Sequence, residues 1–147
     1  MKSVEVKVED KINKPIHEVF DAIVAQDKIT CYFFSRSSGP IRQGEKIIWY
    51  FDDYNVEVNV QILKVTENEH ISFEWSAGGI KTAVDMWFSS KGISTTHVSI
   101  TERSFPANEK GIKQALQQTQ GWTDFLCSLK AFLYCSVNLR NGKKINL

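Results

Sequence analysis

The opening residues MKSVEVKVED set Val4, Val6 and Val8 on alternate positions between charged side chains. Alternation places every second residue on one face of an extended chain, which predicts a half-buried strand over residues 3–12. The period then changes. In NKPIHEVFDAIVA, Pro15 suits a first helical turn, and Ile16, Val19, Phe20 and Ile23 recur at helical spacing, so a helix is predicted over about 15–25. The short stretch DKITCYFF begins with an acidic residue able to cap and carries Ile29, Tyr32 and Phe33 on one face, which predicts a second, short helix. SRSSGPIRQGE, rich in Ser, Gly and Pro, reads as a loop.

Alternation returns beyond that loop. Ile47, Trp49 and Phe51 form one set, Val56, Val58, Val60 and Ile62 a second, and Ile71, Phe73 and Trp75 a third. Val84, Met86 and Phe88, then Val98 and Ile100, predict two more strands. The intervening DDYN, TENEH, SAGGIK and SSKGIS supply turn chemistry for an antiparallel meander. From about 109 to 138 the helical period reappears: Ile112, Ala115, Leu116, Thr119, Trp122, Phe125, Leu126, Leu129, Phe132 and Leu133 lie along one stripe, with Gly111 as an alternative start. A twisted sheet with one apolar face needs a cover, and only this last helix is long and apolar enough to cross it. The expected fold is α+β: a curved antiparallel sheet of about six strands wrapped around a long C-terminal helix, with two short helices after the first strand.

The chain has 147 residues, 42% of them hydrophobic and 12% aromatic, enough for one core; a single domain over 1–147 is expected. Eighteen basic and seventeen acidic residues leave a formal charge of +1, and the longest basic run is Lys143-Lys144. Nothing in that balance points to nucleic acid or an anionic membrane. The N-terminus lacks the apolar block of a signal peptide or a membrane span, so the expectation is a cytoplasmic protein without membrane insertion. Cys31, Cys127 and Cys135 are odd in number and fall in no metal-site spacing, and they are read as reduced, mostly core thiols. His17, His70 and His97 are placed on the first helix, in a turn and on the outer face of a strand, without the spacing of a shared metal site. No nucleophile elbow, phosphate loop or dinucleotide fingerprint occurs, so no catalytic residue, metal or cofactor is assigned. Asp52, Asp53, Glu67, Glu69, Glu74 and Asp85 are expected to face solvent.

The least expected local feature is QGWTDF, which puts Gly121 inside the long helix, where glycine costs about 1 kcal/mol relative to alanine. A glycine that admits a close neighbour repays that cost, and Gly121 is read as such a contact point. Trp122, about 100° further round the helix, is free to project toward the end of the sheet or a cavity. The alternative, favoured because an aromatic at helical spacing is most often core, is that both residues are simply core packing. Between helix and sheet the expected ligand-binding surface comprises Tyr32, Phe33, Trp49, Phe51, Phe73, Trp75, Met86, Phe88, Ile100, Glu102, Trp122, Phe125, Leu126 and Leu129. Glu102 shares the face of Val98 and Ile100, where a carboxyl group would have to be paired or protonated. The alternative, favoured by the rarity of buried Glu, ends the strand earlier and leaves Glu102 to solvent or to Arg103 or Lys113. Tyr32 has two readings as well: a ligand-binding hydroxyl, or, the favoured one, a core-edge ring with a solvated tip.

INKPIHEVFDAI after the first strand, ITCYFF, QGEKIIW, QILKVTENEHISFEW and above all QGWTDFLCSLKAFL resemble the helix-grip (START-like, SRPBCC) superfamily. Within it, the chain is most similar to the family homologous to the activator of the ninety-kilodalton heat-shock-protein ATPase, although Tyr32 stands where that family usually shows tryptophan. The resemblance implies a pocket between helix and sheet. A closed site of about 300–1,000 Å³ left wholly void would cost roughly 7–24 kcal/mol against net stabilities of about 5–15, so rings, water or a ligand must occupy it. The leading expectation is a non-enzymatic monomer or homodimer that binds a small, largely apolar or aromatic molecule as a carrier or sensor. The alternative is a co-chaperone-like module whose partner is a heat-shock chaperone; against it, two-domain activators carry a separate N-terminal domain for which this chain has no room. A third reading is a cyclase- or dehydratase-like enzyme using Glu102 or Tyr32.

Overall fold

The computed structural model describes residues 2–141, so the Lys143-Lys144 pair lies outside the described residues. Strand β1 (Ser3–Ile12) leads into helices α1 (Ile16–Val24) and α2 (Gln26–Ile29). There follow β2 (Arg36–Ser37), β3 (Lys46–Phe51), β4 (Val56–Thr66), β5 (His70–Trp75), β6 (Thr82–Ser90) and β7 (Thr96–Pro106), and α3 (Glu109–Cys135) comes last. All strands join one antiparallel sheet in the order β1-β7-β6-β5-β4-β3-β2. The sheet has one strand more than the alternation predicts. The addition is β2, two residues inside the expected loop, pairing Arg36 with Tyr50 and Ser37 with Trp49, too short to leave a periodic signal.

A bulge near the end of β7 decides what the site is made of. Val4 pairs with Phe105 and Val6 with Glu102, so β7 sets two residues, Arg103 and Ser104, opposite Glu5 alone. Ser104 takes the extra step in a left-handed conformation, φ 87°. An inserted residue reverses the side-chain parity beyond it. Glu102 and Phe105, three apart, are consequently both buried on the concave face, with 1% and 0% exposure.

Helix α3 crosses that concave face against β1 and β7, and Lys130 Nζ donates to Asp10 Oδ2 on β1 at 2.9 Å. Its N-terminus is fixed by Asn108, whose side chain accepts from the Gly111 amide at 2.9 Å. Gly111 is the close-approach glycine: a Cβ there would lie 1.8 Å from the Pro106 carbonyl oxygen. Around Gly121 nothing lies within 4 Å of the same added atom, so the contact expected there is made ten residues earlier instead. The buried stripe is Ala115, Trp122, Phe125, Leu126 and Leu129, whereas Ile112 and Leu116, on the predicted stripe, remain largely exposed.

Aromatic rings fill the space between helix and sheet. Trp49 stacks on Phe34 with centroids 4.9 Å apart and meets Phe73 edge-on at 5.1 Å; Phe33 meets Phe125 edge-on at 4.8 Å. The thiols depart from the sequence expectation. Cys31 is half-buried and Cys127 and Cys135 are exposed, because all three fall off the apolar faces of their segments.

Candidate ligand-binding groove

The carboxyl group of Glu102 lies at the junction of helix and sheet. On the sheet it occupies a row of inward residues, Val6, Glu102, Val84, Phe73 and Ile62, in which it is the one polar member. Its Oε2 accepts from Thr82 Oγ1 at 2.6 Å and from Trp75 Nε1 at 3.1 Å. Its Oε1 accepts from Trp122 Nε1 at 2.7 Å. Gln118 Nε2 donates to both oxygens, at 3.0 and 3.3 Å. Gln118 and Trp122 are four apart on α3, which puts them on one face of the helix, and period two puts Thr82 on the same sheet face as Val84. No Lys or Arg pairs with Glu102 among the described residues. The group is satisfied by neutral donors from β5, β6 and α3, and neither solvent, Arg103 nor Lys113 takes the role that base rates favoured.

Beside this junction a groove of about 740 Å³ opens between α3 and the β3–β4 end of the sheet. Phe33 and Phe51, both half-buried, supply its accessible aromatic surface; Trp75 and Trp122 line it from behind at 6% and 2% exposure, and Tyr54 and Val56 continue it outward. Tyr54 and Val56 are about half exposed, at 50% and 47%, so the groove is open to solvent there. Gln117, Gln118, Gln120 and Thr123 form the helical wall, and Gly121, lacking a side chain, leaves a notch in it. Arg140 closes one end over the Phe51 and Tyr54 rings, 5.7 and 5.5 Å from their centroids, and its charge is matched by Asp53 at 2.7 Å.

Of the residues expected to line a site, Phe33, Phe51, Trp75 and Trp122 meet at this groove. Trp49, Phe73, Met86, Phe88, Ile100, Phe125, Leu126 and Leu129 lie in the closed core behind it. Tyr32 is 1% exposed and donates its hydroxyl to the Ala22 carbonyl at 2.8 Å, so the expected solvated tip is absent. Burial, with a smaller contribution from Cys31, pushes that phenol well above its ordinary range. Neither Tyr32 nor Glu102 is among the residues lining the groove. Gln118 had a legible signal, its four-residue spacing from Trp122, which polarity alone concealed. Arg140 lies beyond α3, and nothing periodic announces it.

The convex face carries a second polar cluster. Asp85 was expected in solvent and is 8% exposed; His70, expected in a turn, is the first residue of β5 and 7% exposed. His70 Nε2 and Asp85 Oδ1 are 2.7 Å apart, and Arg103 Nη1 donates to Asp85 Oδ2 at 2.5 Å. The Trp87 indole covers the imidazole with centroids 3.7 Å apart and planes at 6°. Burial pushes the Asp85 carboxyl up, but hydrogen bonds from His70, Ser72 and Arg103 together outweigh it and hold the group below the ordinary aspartate value. Among the described residues no group of three or more His, Cys, Asp or Glu is placed to hold a metal ion, and no helix is long and apolar enough to cross a membrane.

A curved antiparallel sheet gripping a long C-terminal helix, with two short helices after the first strand and an open groove beside the grip, defines a helix-grip domain of the START-like class. The sequence profile described as Activator of Hsp90 ATPase homolog 1-like protein matches residues 13–134, and the chain belongs to that family. The protein SSP2350 from Staphylococcus saprophyticus is similar in structure, with TM-score 0.81 and 31% identity, over 93% of this chain and 96% of that one. DynU16, from the dynemicin biosynthetic locus, superposes with TM-score 0.80 at 20% identity, over 90% of this chain and 48% of its own. PFC0360w, an HSP90 activator from Plasmodium falciparum, does so with TM-score 0.69 at 18% identity, over 88% and 95%. Among curated proteins no relative matches the sequence.

Proposed function

We propose that this chain binds a small, flat, largely apolar or aromatic molecule in the groove between α3 and the sheet, and serves as a carrier or sensor of it. The observation that carries this reading is the aromatic surface of the groove: Phe33, Phe51, Trp75 and Trp122 converge on one open space of about 740 Å³. Aromatic lining with a few fixed polar groups is the usual make-up of a small-molecule site. The Glu102 carboxyl and the Tyr32 hydroxyl, which an enzymatic reading would use, are both engaged in hydrogen bonds, and neither residue lines the groove.

Native mass spectrometry of freshly purified protein tests the proposal. A co-purifying small molecule is expected on the wild type and not on Gly121→Trp, which fills the notch from an open helical position. Absence of any adduct, with no response of tryptophan fluorescence to naphthalene-ring probes, would sink the reading. The family supports a second one, a co-chaperone role. A dose-dependent rise in the ATPase rate of a ninety-kilodalton heat-shock protein, undiminished by Gly121→Trp, would favour that role; no stimulation is expected.

A further inference from the structure

Gln118 is the point where the buried Glu102 network meets the groove. Trp75 and Trp122, nearly buried, have spent their indole N–H groups on Glu102, so neither offers a donor to a molecule in the groove. The Gln118 amide is oriented by the same carboxylate. Its Nε2 lies 3.0 and 3.3 Å from the two Glu102 oxygens, which also accept from the two indoles, so the nitrogen faces the carboxyl group and planarity turns the carbonyl oxygen aside. That oxygen is bonded to no described residue and is not sealed from solvent. Gln117 and Gln120, also on the groove wall, are exposed and lack any such anchor.

We propose that Gln118 Oε1, held in place by Glu102, is a fixed hydrogen-bond acceptor on the wall of the aromatic-lined groove, so that the groove selects flat aromatic molecules bearing an O–H or N–H donor. This rests on the groove being a ligand site and names the ligand chemistry. Glu102 acts through Gln118 and the two indoles as a positioning residue. An acceptor held from behind loses little freedom when a ligand donor arrives, which is why one neutral hydrogen bond is able to discriminate.

Calorimetric titration of the full chain with 2-naphthol and with 2-methoxynaphthalene tests this, because the two probes share a ring and differ in the donor. Methylation makes the second probe more apolar, so apolar burial alone favours it. The wild type is expected to bind the naphthol about two- to tenfold more tightly. Gln118→Met keeps the length of the side chain and removes its polar end, and it is expected to abolish that preference while both probes still bind. Equal affinities in the wild type would overturn the proposal without any variant, and so would a preference that survives in Gln118→Met. Failure of both probes to bind the wild type would instead remove the groove reading and this inference with it.

Discussion

Trp75 on β5 and Trp122 on α3 stack with their ring centroids 5.5 Å apart and aim both indole N–H groups at one carboxyl group, that of Glu102. A shared acceptor fixes the two planes relative to each other as packing alone does not, since stacked rings slide at little cost. It also ties helix to sheet where the groove begins. Burying a carboxyl group is costly without partners, and here four side chains from three elements, β5, β6 and α3, donate to it.

The partner set sets the sign of a substitution. Glu102→Gln replaces one acceptor oxygen with an NH₂ group facing donors, and we expect a loss of about 1–3 kcal/mol in urea unfolding at neutral pH. Glu102→Leu leaves two indole N–H groups and the Thr82 hydroxyl without an acceptor and should cost more, about 3–5 kcal/mol. A Gln variant as stable as wild type would mean that the network is slack.

Two glycines of one helix should answer oppositely to the same change. At Gly121 an added Cβ meets nothing within 4 Å, so Gly121→Ala should stabilise by up to about 1 kcal/mol through helix propensity. At Gly111 the added atom would stand 1.8 Å from backbone oxygen, and Gly111→Ala should destabilise by about 1–3 kcal/mol or more. Thermal midpoints that move in the same direction for both would contradict the placement of α3 on β7.

Asp85 predicts a pH dependence. Its folded-state pKa is held below the ordinary value of 3.8, so its contribution is fully present above that value and is lost as pH falls through it toward the folded one. Asp85→Asn, which weakens the bonds to His70 and Arg103, should cost about 1–3 kcal/mol at neutral pH. The gap between wild type and variant should narrow in acid. Unfolding curves from pH 7 to pH 3 that stay parallel would show that the charged form is not the one being stabilised.

Local pattern carried most of the architecture. Val4, Val6 and Val8 announced β1, and Trp49, Phe73 and Met86 announced inward faces, because a period of two or 3.6 is a property of neighbouring residues. The groove was half legible. Phe33, Phe51, Trp75 and Trp122 declared themselves as aromatics on apolar faces, whereas Gln118 and Arg140 are polar residues whose surroundings come from distant segments.

Glu102 marks the boundary between the two kinds of information. The sequence by itself determined the order of strands and helices, the face on which Glu102 would fall if β7 continued, and the family resemblance of the whole. Only the tertiary structure decided that β7 does continue, that a bulge at Ser104 brings Phe105 to the same side, and that Trp75, Thr82, Gln118 and Trp122 supply the donors. Gly121 shows the same division. Its cost to the helix was visible in the sequence, but whether a neighbour or open space faces it depends on where α3 crosses the sheet. The physical reason is that periodicity and propensity are local energies, whereas the satisfaction of a buried polar group depends on which distant donors folding brings within hydrogen-bond reach.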